Sequence, residues 1–190
     1  MSIKKIVPLF LLGSALLFSR NMIGLNINSE DVEIEGAMDI NSFAEYTNGT
    51  MFIADANYIN TEYDSMFGVG LSAHNSFQGQ GMEGLSLGLG ARFVHLDNFS
   101  ALPLMAEASY AATFAESLPA ASFSLAFLYA PSVLSFDEAE NYFEFRAEAG
   151  MEVISAVSLY VGYRNIDVEY TGFSSDTFNS SLYGGLKMSF

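Results

Sequence analysis

Along most of the chain, apolar and polar side chains alternate with a period of two. From Tyr142 to Val153, Phe143, Phe145, Ala147, Ala149, Met151 and Val153 oppose Tyr142, Glu144, Arg146, Glu148, Gly150 and Glu152. Successive side chains of a strand point to opposite faces, so this stretch has one apolar and one polar face; a helix would mix the two sets. Val157, Leu159, Val161 and Tyr163 likewise oppose Ser158, Tyr160, Gly162 and Arg164, and Leu85, Leu87, Leu89, Ala91 and Phe93 oppose Ser86, Gly88, Gly90 and Arg92. Nearer the start, Val32, Ile34 and Met38 face away from Asp31, Glu33, Glu35 and Asp39. The pattern predicts strands over 32–40, 50–61, 66–76, 83–96, 102–114, 119–131, 140–152, 156–170 and 178–190.

A soluble sandwich also alternates, but its second face meets water and carries Lys, Thr and Glu freely. Here the polar face is rich in Gly, Ser and Ala, as suits the crowded inside of a closed cylinder. The apolar face carries aromatics such as Phe93, Tyr129 and Tyr163, the residues of a girdle at the lipid–water boundary. The predicted fold is therefore all-β, an antiparallel transmembrane β-barrel. Single-chain bacterial barrels have even strand counts. With the last strand descending to the periplasm, the nine segments require Met22–Asn28 as a tenth; eight strands is the alternative. This direction makes 131–140 and 171–177 external loops, 153–155 a tight periplasmic turn, and 41–49 a rather long periplasmic one. Ser117–Phe136 has no charge and is long enough for a membrane helix, yet it alternates and contains Pro119 and Pro131, so it reads as one strand and a loop.

Composition agrees with export to a membrane. Of 190 residues, 51% are hydrophobic and 15% charged, which excludes intrinsic disorder. There is no cysteine, which removes disulfides, thiolate metal sites and cysteine nucleophiles. The net charge of −15 repels phosphate backbones and argues against nucleic acid as a partner. Lys4 and Lys5 precede an apolar run from Ile6 to Phe18, the layout of a secretory signal peptide over residues 1–19, with the barrel occupying 20–190. Its removal shifts the net charge from −15 to −17.

The C-terminal segment has Leu182, Gly184, Leu186, Met188 and Phe190 on one face, with Phe190 the last residue. This ending resembles the sorting signal of bacterial outer-membrane barrels, which implies that the barrel assembly machinery binds Leu186, Met188 and Phe190. Tyr129-Ala130-Pro131 followed by Leu134-Ser135 and Tyr142 with Glu144, the run Val161-Gly162-Tyr163-Arg164-Asn165-Ile166-Asp167, and the ending Tyr183-Gly184-Gly185-Leu186 together resemble the YfaZ family of predicted outer-membrane proteins. The likeness is clearest over Ala121–Phe190. It implies an outer-membrane barrel in contact with lipid and brings no settled activity. The shorter 171–177 loop and the more acidic N-terminal segment depart from the family.

Parity places Glu33, Glu35, Asp55, Glu107, Glu144, Glu148 and Glu152 inside the barrel with Arg92, Arg146 and Arg164. Ions taken out of water must pair or stay hydrated, so a network bridging neighbouring strands is expected around Glu144, Arg146, Glu148 and Arg164. Such a network would fill the lumen and serve an envelope or structural role; the alternative is a narrow, cation-preferring channel fed by unpaired acids. A lipid hydrolase is the third reading. His74 and Ser76 share a strand face at a spacing that suits a base and a nucleophile, but that face is the lumen side, out of reach of lipid. His95 lies on the outward row with no serine at matching spacing. No catalytic, cofactor or metal site is expected. Gly68, Gly70, Gly88 and Gly90 read as strand glycines that permit curvature, not as a phosphate loop.

Overall fold

The computed structural model describes residues 21–43, 47, 49–77, 82–112, 121–172 and 176–190. The expected signal peptide lies outside these residues. Among them the strands are β1 Met22–Ile27, β2 Asp31–Asp39, β3 Thr50–Thr61, β4 Ser65–Ser76, β5 Leu85–Leu96, β6 Phe99–Ala101, β7 Leu104–Ala112, β8 Ala121–Ala130, β9 Ser135–Asp137, β10 Ala139–Ile154, β11 Val157–Tyr170 and β12 Asp176–Ser189. β6 and β7 pair with β5 in one continuous register on either side of Leu102–Pro103, so they are one interrupted strand. β8 and β9 are a second, interrupted by the 3-10 turn Ser132–Leu134. Counted this way, ten antiparallel strands close a barrel, with β4 on β5 and β1 on β12 completing the circle. Closure leaves no unpaired strand edge, which a bilayer interior would not tolerate. The terminal residues meet at the seam, where the Asn21 and Phe190 backbones exchange hydrogen bonds of 3.1 and 2.9 Å.

The segment 131–140, expected as a loop, is half ladder. Pro131 cannot donate to the sheet, so the chain steps out in the Ser132–Leu134 turn and rejoins it as β9. The two interruptions pack on each other, the Leu102 N–H donating to the Leu134 carbonyl at 2.8 Å. The reversal is tight, with Asp137 at φ 63°. At the other end the expected 153–155 turn falls at Ser155–Ala156. There Ala156 takes φ 68°, and its N–H donates to the Glu152 carboxylate at 3.0 Å.

Outside the barrel, apolar side chains such as Leu87, Leu89, Leu125, Val161 and Leu182 are exposed, the surface of a protein solvated by acyl chains. At the end opposite the termini the pattern inverts. On β11 the outward row runs Val161, Tyr163, then Asn165, Asp167 and Glu169, while the inward row runs Arg164, then Ile166 and Val168. The outward polar groups satisfy one another: Asn165 Nδ2 donates to Asp167 at 2.5 Å, Thr177 to Asp167 at 2.7 Å, and Asn141 to Glu169 at 2.8 Å. Beyond the bilayer the outside faces water, so the hydrophobic effect moves apolar residues inside, as in a soluble barrel. Ile59, Met66, Leu96, Phe99, Leu128 and Ile166 there form an apolar plug across the lumen. Phe99, 1% exposed, stands 6.1 Å from the Tyr142 ring and 6.0 Å from that of Tyr170. Phe99→Ala is expected to cost about 3–5 kcal/mol of stability, measured by urea unfolding in lipid vesicles.

Candidate functional site

The lumen's central feature is a carboxylate that crosses it. Glu33, fully buried on β2, lies three strands from β11 and four from β10 around the barrel wall, yet it contacts both. Its Oε2 accepts from Arg164 Nη1 at 2.5 Å and Arg146 Nη1 at 3.0 Å, and its Oε1 lies 2.8 Å from Arg146 Nη2. Asn26 and Asn57 on the flanking strands each donate to it at 2.7 Å. Arg146 and Arg164 are direct cross-strand partners in the β10–β11 ladder, a like-charge pairing that is unfavourable by itself. Glu33 offsets that repulsion by binding both guanidiniums. Asp31 holds the other side of Arg164 at 2.7 Å, and Glu144 pairs with Arg146 while accepting from the Tyr142 hydroxyl at 2.6 Å.

A second group fills the lumen toward the termini. Lys187 Nζ lies 2.5 Å from Glu148 and 3.3 Å from Glu35, and 4.3 Å from the Tyr160 ring centre. Tyr183 donates to Glu148 at 2.8 Å and Tyr160 to Glu35 at 3.1 Å. Arg92 pairs with Asp55 at 2.7 Å on the opposite wall. Arg92, Arg146, Arg164, Glu144 and Glu148 thus all sit inside and paired. Glu107 faces the lumen but makes no hydrogen bond or ion pair among the described residues.

Three placements differ from expectation. Glu152, expected inside, is exposed at the barrel's end, where the bulge between Glu152 and Ile154 breaks the ladder. Asp31 and Lys187 are lumen ions that the charge inventory omitted, although both follow the parity of Glu33 and Tyr183. Among the described residues the lumen therefore holds the acids Asp31, Glu33, Glu35, Asp55, Glu107, Glu144 and Glu148 against Arg92, Arg146, Arg164 and Lys187.

Glycines make room for these long side chains. Gly70 is the register partner of Asp55, Gly88 of His74 and Gly162 of Tyr183. A Cβ at Gly162 would stand 2.5 Å from the Tyr183 ring. Each such glycine lets its partner's side chain lie flat across the wall.

The histidines take different partners from those the spacing suggests. His74 is buried on the lumen side, and its Nε2 lies 2.9 Å from Ser72 Oγ, not Ser76. His95 is outward and exposed, and the β5–β6 pairing brings Ser100 Oγ to 3.0 Å from its Nδ1. Among the described residues no three metal-ligating side chains gather.

The C-terminal part of the chain supplies β8 with β9, β10, β11 and β12, including the ion-bearing pair β10 and β11. Residues 107–190 match the YfaZ family, described as YfaZ precursor. Over that stretch the chain is similar to the YfaZ family. The match runs from within β7 to the last residue, so it includes Glu144, Arg146, Glu148 and Arg164, while Glu33 lies before it. No curated protein matches the chain in sequence. Two solved structures are similar: the NanC porin in a rhombohedral crystal form, at 10% identity and TM-score 0.47, and the KdgM porin, at 8% and 0.44. Each alignment covers 90% of this chain and 99% of the other. The chain is an outer-membrane β-barrel, with an apolar wall for lipid and a charged interior.

Proposed function

We propose that this YfaZ-type barrel serves the outer membrane as a structural, envelope-maintaining protein and not as a conduit or a lipid hydrolase. The observation that carries the reading is Glu33 spanning the lumen to Arg146 and Arg164. A permeation path would have to break ion pairs buried from water, and breaking a buried pair typically costs about 3–5 kcal/mol. Beyond that bridge, the apolar plug of Ile59, Met66, Leu96, Phe99, Leu128 and Ile166 has no polar side-chain group to replace a passing ion's hydration. In this reading the end bearing the termini faces the periplasm, the polar band of Asp167 and Glu169 lies outside, and the Leu186, Met188 and Phe190 face of β12 engages the assembly machinery.

Planar-bilayer recording tests the proposal. The wild-type protein, inserted and shown to be folded, is expected to give no stable current steps, and Glu144→Gln and Glu148→Gln are expected to leave it silent. Wild-type steps that shrink with either substitution would establish the cation channel instead.

A further inference from the structure

We propose that Ser72, His74 and Glu107 form a nucleophile–base–acid relay on the lumen wall, able to attack small, water-soluble carboxylic esters that enter from the end bearing the termini. Ser72 and His74 are both buried and share the lumen face of β4, with Oγ 2.9 Å from Nε2. A nucleophile within hydrogen-bond reach of a base that a third group orients is the arrangement that activates a hydroxyl. The third group follows from the ladder. Gly88 on β5 is the register partner of His74 on one side and of Glu107 on the other. A Cβ at Gly88 would fall 2.4 Å from His74 Cε1 and 2.5 Å from Nδ1, so the imidazole lies over the glycine with Nδ1 turned toward it. His74 and Glu107 are two strands apart, about 10 Å between Cα atoms, a gap that the two side chains span when they reach toward each other. Nδ1 and the Glu107 carboxylate make no hydrogen bond among the described residues, so the relay is completed when Glu107 turns over Gly88 onto Nδ1.

Water reaches this half of the lumen, where the side chains of Lys187 and Glu35 are 25% and 15% exposed. In the reaction, Ser72 Oγ bonds to the acyl carbon and its proton passes to His74 Nε2. That proton then goes to the leaving alkoxide as the ester C–O bond breaks, and a water molecule repeats the sequence to release the acid. Glu107 acts as a positioning residue through His74.

The test is covalent labelling of the full-length, folded, detergent-purified barrel with a fluorophosphonate, which forms the Ser Oγ–P bond as fluoride leaves. A single adduct is expected on Ser72, located by peptide mass spectrometry and absent from boiled protein. Ser72→Ala abolishes it, His74→Gln slows it about 100-fold, and Glu107→Gln slows it about tenfold with the folded gel band intact. Glu107→Asp recovers part of that rate, which a merely structural defect would not. Ser76→Ala and Ser100→Ala label like wild type. If folded wild-type protein takes no adduct on Ser72, or labels equally when boiled, the relay does not exist; the wild-type adduct map decides the matter even where a variant fails to fold.

Discussion

Glu33→Ala is expected to lower the stability of the folded barrel by about 3–5 kcal/mol. The substitution removes the shared counter-charge of Arg146 and Arg164, which face each other across the β10–β11 ladder. It also strips the acceptors of Asn26 and Asn57, each left with a buried, unpaired amide. Glu33→Gln keeps part of the hydrogen bonding but not the charge, and falls between alanine and wild type. Urea unfolding in lipid vesicles measures both. Arg146→Met in the Glu33→Ala background removes one of the two facing cations, so the double variant should cost less than the two single losses together, by about 0.5–3 kcal/mol. Strict additivity would mean that Glu33 is not the bridge between the two arginines.

The second large effect belongs to the seam. Gly185 on β12 pairs with Asn26 on β1 and with Tyr160 on β11. A Cβ there would lie 2.5 Å from the Leu25 carbonyl oxygen, 2.5 Å from Asn26 Oδ1 and 2.7 Å from the Tyr160 ring. The ring can rotate away, but the Leu25 carbonyl belongs to the backbone that closes the cylinder. Gly185→Val is therefore expected to cost about 3 kcal/mol or more and to reduce the heat-modifiable folded band on gels. Gly184→Ala is the control: its Cβ meets nothing closer than the Tyr160 carbonyl at 3.9 Å, on the outward face, and it should behave like wild type. Equal losses from both would point to a general cost of side chains on β12 rather than to the Leu25 contact.

The ten-strand barrel was legible because alternation is local. Each of β1 to β5, β7, β8 and β10 to β12 announces its two faces over a few residues, and the segment ends differ from the observed ones by a few positions. Parity also puts Glu144, Arg146 and Arg164 on one side of the wall, where the structure has them. What parity cannot express is distance across the lumen. That Glu33 reaches Arg146 and Arg164 depends on the barrel's diameter and strand stagger, which no short window carries. The plug escaped for a related reason: the outside is apolar only within the bilayer, so at Ile166 and Val168 the same alternation means the opposite arrangement. Pro131 and the run to Leu134 read as the start of a loop, although the strand resumes at Ser135. Ser72 was passed over for Ser76 because both share His74's face, and only the ring's tilt over Gly88 chooses between them.

Closure of the cylinder between the first and last strands is the claim on which the lumen, its ions and its plug all depend. Leu25 on β1 and Leu186 on β12 are register partners on the outward face, and the chain has no cysteine of its own. With both changed to Cys, mild oxidation of the protein in native membranes should give an intramolecular disulfide in nearly every molecule. The out-of-register pair Leu25→Cys with Leu182→Cys should give almost none. Absence of the first crosslink, or equal crosslinking of the two pairs, would contradict the closed barrel.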